Sequence, residues 1–243
     1  MGVKLAFIGN CQIQTWCYLC DVLLQDAEVR SFDFSLRSSR EEASQEHFFS
    51  RLHEVDWILV QPNVFPFARI EVLREQHGAK VFAVSNFYFR GFFPDACYVG
   101  AFGHRLDQPT AYNSLVVLES FLRGRTQEEA VRAFNPDNYM RLGLFDGWLS
   151  SIEEMVFRDH EVNLPGAPFL ERLTRESQCF HTVNHPALFL LKSYLGQVFD
   201  ILGIRWRDFE SRELRDPLTD LEILPVADEI AEYFNLPYRT SQR

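Results

Sequence analysis

Short apolar runs alternate with segments of helical periodicity through residues 1–90, and that rhythm constrains the fold more than any other feature of the sequence. Residues 3–8, 29–34, 57–60 and 80–84 read as strands. Between them, residues 11–24 place Ile13, Trp16, Cys20, Leu23 and Leu24 on one helical face. Ser38 and Ser39, followed by Glu41 and Glu42, mark a helix start running to about Val55, and residues 68–77 form a helix that Gly78 stops. Strands alternating with helices predict a parallel sheet covered on both faces, a Rossmann- or SGNH-like α/β arrangement.

From about Asn113 the pattern becomes mainly helical. Residues 113–122 are apolar at helical spacing, and Thr126 with Glu129 matches a capping box. Helices are also expected at 142–158, at 187–202 with Pro186 in the first turn and Gly203 at the end, and at 227–234. The expectation is one domain over residues 1–243, an α/β part to residue 110 and a mainly helical part from 111. The Pro- and Gly-containing stretch 160–168 is the best linker candidate, without dividing the chain. The helical part is left open as a lid or as a homodimer surface.

The 243 residues are 47% hydrophobic, enough for a full core, and 23 of them are Phe. A formal charge of −10 argues against nucleic acid or an anionic membrane as the main partner. No apolar run reaches the roughly 18 residues of a spanning helix, and residues 3–8 are too short for a signal-peptide core. A cytoplasmic protein is expected. Five cysteines, an odd number, suit a reducing compartment. Cys17 and Cys20 have CxxC form but lie inside the first helix, and Cys97 and Cys179 are isolated, so no metal is expected. Neither GxGxxG nor a Walker loop is present.

Open parallel sheets bind ligands at the carboxyl ends of their strands. That edge collects Gly9-Asn10-Cys11-Gln12, Gln61-Pro62-Asn63, and Ser85-Asn86 with the loop that follows. Cys11 in the first turn of a helix faces unpaired N–H groups and the positive end of the dipole, which favour a thiolate. It is equally readable as a small buried residue. Asn10 and Gln12 are placed to aim amide donors at an oxyanion. Among seven histidines, His185 is the candidate base: Asn184-His185-Pro186 precedes a long apolar run, and a helix N-terminus keeps imidazole neutral. His181 lies four residues earlier in the same approach. The aromatic stretch 86–100 holds Arg90, a candidate phosphate contact, and Asp95, a candidate partner for a histidine or a sugar hydroxyl.

These pieces together resemble the WcbI-type polysaccharide biosynthesis proteins, acetyltransferases of bacterial capsule assembly. The resemblance spans nearly the whole chain and rests on GNCQ after the first strand, Gln61-Pro62, the aromatic loop ending in Pro94-Asp95, and a late Asn184-His185-Pro186. It implies a coenzyme A-binding protein that moves an acetyl group from acetyl-CoA to a sugar or polysaccharide hydroxyl. Cys11 and His185 would be central, with Gln12, Gln61, Asp95 and Asn184 around them. Charge adds Arg90, His104 and Arg105 as phosphate contacts near the Gly9 turn. A nucleophile after the first strand and a late histidine also describe SGNH-type esterases, with Cys11 in place of serine. A noncatalytic coenzyme A- or nucleotide-sugar-binding protein is the third reading.

Overall fold

A computed structural model describes residues 2–34, 45–62, 68–101, 104–105, 111–210, 214–220 and 222–238. The apolar runs form β1 (Lys4–Gly9), β2 (Glu28–Asp33), β3 (Trp57–Val60) and β4 (Val81–Ala83). They pair in parallel in the order β2-β1-β3-β4. The chain steps outward from β1 to β2, then crosses to the other side for β3 and β4. That reversal opens a crevice at the carboxyl ends of β1 and β3, the usual ligand position in such sheets.

Side chains alternate across the sheet, as strand geometry requires. Leu5, Phe7, Leu59 and Phe82 share a buried cluster with Ile13, Trp16 and Leu23 of α1 (Gln12–Leu23). Ala6, Ile8, Ile58, Val60 and Ala83 share another with Phe48 of α2 (Gln45–Ser50) and Leu73 of α3 (Ile70–His77). The sheet is thus covered on both faces, and the chain is an α/β protein. Gly78, at φ +59°, ends α3 in a conformation that favours glycine. The expected start of α2 at Ser38 and Ser39 lies outside the described residues.

The later part supplies α4 (Leu115–Leu122), α5 (Gln127–Arg132), α6 (Pro136–Arg141), α7 (Gly147–Arg158), α8 (Ala167–Glu176), α9 (Leu188–Leu202) and α10 (Asp228–Tyr233). Ser114 caps α4, and Thr126 and Glu129 form the full capping box on α5. The helix expected from residue 142 starts only at Gly147, because Gly143 at φ +66° and a 3-10 turn at Leu144–Asp146 intervene. Among the described residues there are also three antiparallel pairs: β5 (Ala96–Cys97) with β8 (Asn113–Ser114), β6 (Gly100–Ala101) with β7 (His104–Arg105), and β9 (Phe180–Thr182) with β10 (His185–Pro186). The apolar cluster on the α1 face runs from Leu5 through Tyr194 to Leu236, so it draws on both parts of the chain. Among the described residues, no helix is long and apolar enough to cross a membrane.

The stretch 160–168 behaves as an extension of the sheet rather than as a linker. Leu164 forms a parallel bridge with Val84, and the Asn163 N–H donates to the Ala83 carbonyl at 2.8 Å. Beside it, buried Asp159 accepts from Ser85 Oγ at 2.5 Å and from the N–H groups of Gly166 and Ala167 at 2.7 and 2.9 Å. Tyr194 Oη accepts from the Ser85 N–H at 2.8 Å and donates to the Leu164 carbonyl at 2.5 Å. Asp159→Ala orphans the N–H groups of Gly166 and Ala167 and leaves Ser85 Oγ only its 3.3 Å bond to the Leu164 carbonyl, and urea unfolding is expected to show a loss of about 3 kcal/mol.

Candidate active site

The end of β1 delivers Gly9-Asn10-Cys11-Gln12 into the crevice. A Cβ on Gly9 would stand 2.3 Å from Gln61 Oε1 and 2.7 Å from Ile13 Cγ2, so only hydrogen fits there. Gln61, at the end of β3, accepts the Asn10 N–H through that same Oε1 at 2.9 Å. Asn10 Oδ1 accepts the Gln12 N–H at 3.0 Å, and Asn10 Nδ2 donates to Asn86 Oδ1 at 2.9 Å. The chain after β1 is therefore tied to the residues after β3 and β4, through the Asn10 N–H to the Gln61 side chain and through the Asn10 side chain to that of Asn86. Asn63 lies outside the described residues.

Gln12 is fully buried, and its amide is saturated. Nε2 donates to the carbonyls of Phe87 and Asn184 at 2.7 and 3.0 Å. Oε1 accepts from the Phe87 N–H and from Gln61 Nε2 at 3.2 and 3.3 Å. A primary amide has two donors and two acceptor positions, and all four are taken. Gln12 is thus committed to backbone and neighbouring amide groups, and the oxyanion role expected from the sequence has no free donor on it. The bond to Asn184 fastens the Cys11 turn to the loop that carries His185, across 172 positions of sequence.

Cys11 is the N-cap of α1 and is half-buried. The acidic thiol expected there is overturned. Burial raises the Cys11 pKa above the usual thiol value, and the Asp33 carboxylate at the end of β2 pushes the same way. The N–H groups of Cys11 and Gln12 oppose this and lose. The reason is visible in the turn: the N–H groups of Gln12, Ile13 and Gln14 are already taken by Asn10 Oδ1, the Asn10 carbonyl and the Cys11 carbonyl. The dipole argument needs unsatisfied donors, and here most are satisfied.

His185 also sits differently from the expectation. Asn184 is in a turn, His185 and Pro186 form β10, and α9 starts at Leu188 with Ala187 as N-cap. His185 therefore does not project from a helix N-terminus. Its pKa is nonetheless lowered, first by burial and then by the neighbouring His181, with Asp216 and Glu222 opposing. Its Nδ1 is buried without a hydrogen-bond partner. His181 Nε2 pairs with Asp216 Oδ2 at 2.8 Å. Asp216 also accepts from the N–H groups of Leu188 and Leu218 at 2.7 and 3.0 Å, which anchors the start of α9. Burial alone would raise Asp216, yet these bonds hold its pKa below the usual carboxylate value. Neither Asp216 nor Tyr112, whose hydroxyl donates to Asn184 Oδ1 at 2.7 Å, was singled out by sequence reasoning. Both stand in loops without periodicity, and no motif marks them.

Among the described residues, Asp95 has no histidine partner. Its Oδ1 accepts the Val116 N–H at 2.8 Å and its carbonyl accepts the Leu115 N–H at 2.9 Å, so it fixes the start of α4. The aromatic stretch is largely core: Phe89 packs edge-on against Phe92 and Trp148 at 5.0 and 5.1 Å between ring centroids. Arg90 is half-buried, its guanidinium reaching the Pro94 carbonyl at 3.5 Å, and among the described residues it forms no ion pair. The side chains of His104 and Arg105 lie outside the described residues. All five cysteines are free, and among the described residues no cluster of metal-ligating side chains exists.

Residues 4–207 match the family described as "Polysaccharide biosynthesis enzyme WcbI". The chain belongs to the WcbI family. A solved structure of WcbI, described as a novel polysaccharide biosynthesis enzyme in its native form without a disulfide bond between coenzyme A and a cysteine, superposes with a TM-score of 0.76 at 18% identity. The alignment covers 100% of this chain and 82% of that one. At that identity the likeness speaks for the fold. No curated protein matches the chain. Within this WcbI-family fold, the GNCQ turn and the NHP loop meet through the Gln12–Asn184 bond.

Gln12→Met keeps the volume and removes the amide, leaving buried donors and acceptors on Phe87, Gln61 and Asn184 unpaired. Urea unfolding is expected to report a loss of about 3 kcal/mol. Asp216 makes a pH test. Its depressed pKa contributes stability that is complete above the unfolded value of about 3.9 and is lost as pH falls through the lower folded value. The stability gap between wild type and Asp216→Asn should therefore narrow on acidification below that range. A gap independent of pH would contradict the assignment.

Proposed function

We propose that the protein is an O-acetyltransferase that moves an acetyl group from acetyl-CoA to a sugar hydroxyl during synthesis of a surface polysaccharide in the cytoplasm. One observation carries this reading. The Gln12–Asn184 bond holds a half-buried cysteine and a half-buried histidine, whose buried Nδ1 has no hydrogen-bond partner, at the carboxyl edge of a parallel sheet, in a family of polysaccharide biosynthesis enzymes. The relative described together with coenzyme A supports the donor.

His185, kept uncharged by burial, accepts the proton of the sugar hydroxyl. The hydroxyl oxygen attacks the thioester carbonyl, a C–O bond forms, the C–S bond breaks, and the proton passes to the departing sulfur of coenzyme A. The raised thiol of Cys11 favours direct transfer, with Cys11 protonated beside the coenzyme A sulfur, over a resident thiolate that carries the acetyl group. Arg90, without an ion-pair partner among the described residues, is the proposed phosphate contact on the donor, together with His104 and Arg105. Asn10 keeps one amide hydrogen beyond its bond to Asn86 for the developing oxyanion.

Native and denatured mass spectra of protein incubated with acetyl-CoA test the reading. A noncovalent coenzyme A adduct in the native spectrum and no acetylated Cys11 in the denatured one is the expected pair. Failure to bind at millimolar acetyl-CoA would sink the proposal. His185→Ala should lower kcat by about a thousandfold, and Cys11→Ala by much less. In wild type, kcat/KM should hold from neutral pH down past about 6.5, the ordinary histidine value, and fall below it.

A further inference from the structure

A cavity of about 530 Å³ opens beside the site, between the 92–96 stretch, β8, the end of α5 and the start of α10. Its volume lies in the range of small-molecule sites. Phe92, Phe93, Tyr112, Phe134 and Tyr139 form its walls. Its charged lining residues are Asp95, Asp228 and Glu229, and among the described residues no lysine, arginine or histidine lines it. Asn113 lines it as well, and the Asn113 Nδ2 is a buried donor with no partner. Tyr112 joins this cavity to the reaction site, since its hydroxyl donates to Asn184, the residue before His185.

This chemistry selects an occupant. Aromatic faces pack against the C–H faces of a sugar ring, carboxylates accept from its hydroxyls, and an unpaired amide N–H suits a hydroxyl or ring oxygen. Phosphate does not belong there: the charged groups lining the cavity are three carboxylates, and among the described residues no cation lines it. The geometry points to this cavity as the acceptor site, holding a saccharide with no phosphate on the part that enters, so that the acetyl group is added to a glycan rather than to a nucleotide sugar. The inference rests on the acetyltransferase reading. It also places the reaction after the glycosyl transfer that removes the nucleotide.

The test uses acetyl-CoA labelled in its acetyl group, the full-length protein, and sugars extracted from source cells. The extract is treated with mild base to remove existing acetyl esters and is then separated on an anion exchanger into glycan fragments without phosphate and nucleotide sugars. Wild type should label the phosphate-free fragments. Val131 is 65% exposed at the cavity wall, so Val131→Trp fills the mouth without disturbing the core. That variant should lose at least tenfold in labelling while its coenzyme A affinity by calorimetry stays within twofold. Phe134→Trp, also on the wall, should do the same. Label in the nucleotide-sugar fraction, or full labelling by both tryptophan variants, overturns the inference and leaves the acetyltransferase reading intact. Loss of coenzyme A affinity in the variants reassigns the cavity to the donor and also overturns it. No label in any fraction with wild type overturns both.

Discussion

The side-chain amide of Gln12 is the interaction on which the rest of the site depends. A fully buried amide is costly unless every polar position is paired, and Gln12 pairs all four. Its partners come from separate parts of the chain: Gln61 after β3, Phe87 after β4, and Asn184 before β10. The sheet brings the first two close by its parallel order. The third comes from the late loop before β10, whose Asn184 carbonyl accepts from Gln12 Nε2. Removing water from around such a network strengthens each bond and makes each omission more costly. The turn carrying Cys11 and the loop carrying His185 are thus two ends of one hydrogen-bonded unit.

Burial also sets the protonation states there. The thiol is pushed up and the imidazole down, so both catalytic candidates are uncharged near neutral pH. Asp33 adds to the first effect and His181 to the second. His181 is itself held by Asp216, whose other bonds anchor α9. An uncharged pair suits transfer from a thioester to a hydroxyl, where a base must take up a proton and a sulfur must leave. It suits a preformed thiolate nucleophile poorly.

The aromatic residues divide between two tasks. Phe87 and Phe89 are fully buried, the first edge-on to Tyr194 and the second packed on Trp148. Phe92 and Phe93 are part of the same apolar cluster yet also wall the cavity beside Tyr112. Asp95 follows the same pattern, capping α4 with its Oδ1 while facing the cavity. The segment after β4 therefore packs the core and lines the cavity at once, and an aromatic-rich loop with one arginine reads ambiguously in sequence for that reason.

The sequence by itself determined the α/β class, the strand at 57–60, the capping box at Thr126, and the placement of Gly9-Asn10-Cys11-Gln12 at the sheet edge. Each follows from local rules: apolar period, capping chemistry and turn residues act over a few positions. Only the tertiary structure decided what those residues do. It turned Gln12 from a substrate donor into a clamp, and consumed the N–H groups that were to acidify Cys11. It moved His185 off the helix start and into a short strand, and made 160–168 part of the sheet edge. Asp216 and Tyr112 entered the site with no sequence signal at all. Hydrogen-bond partners and desolvation are set by groups distant in the chain, and no periodicity or motif records which of them will meet.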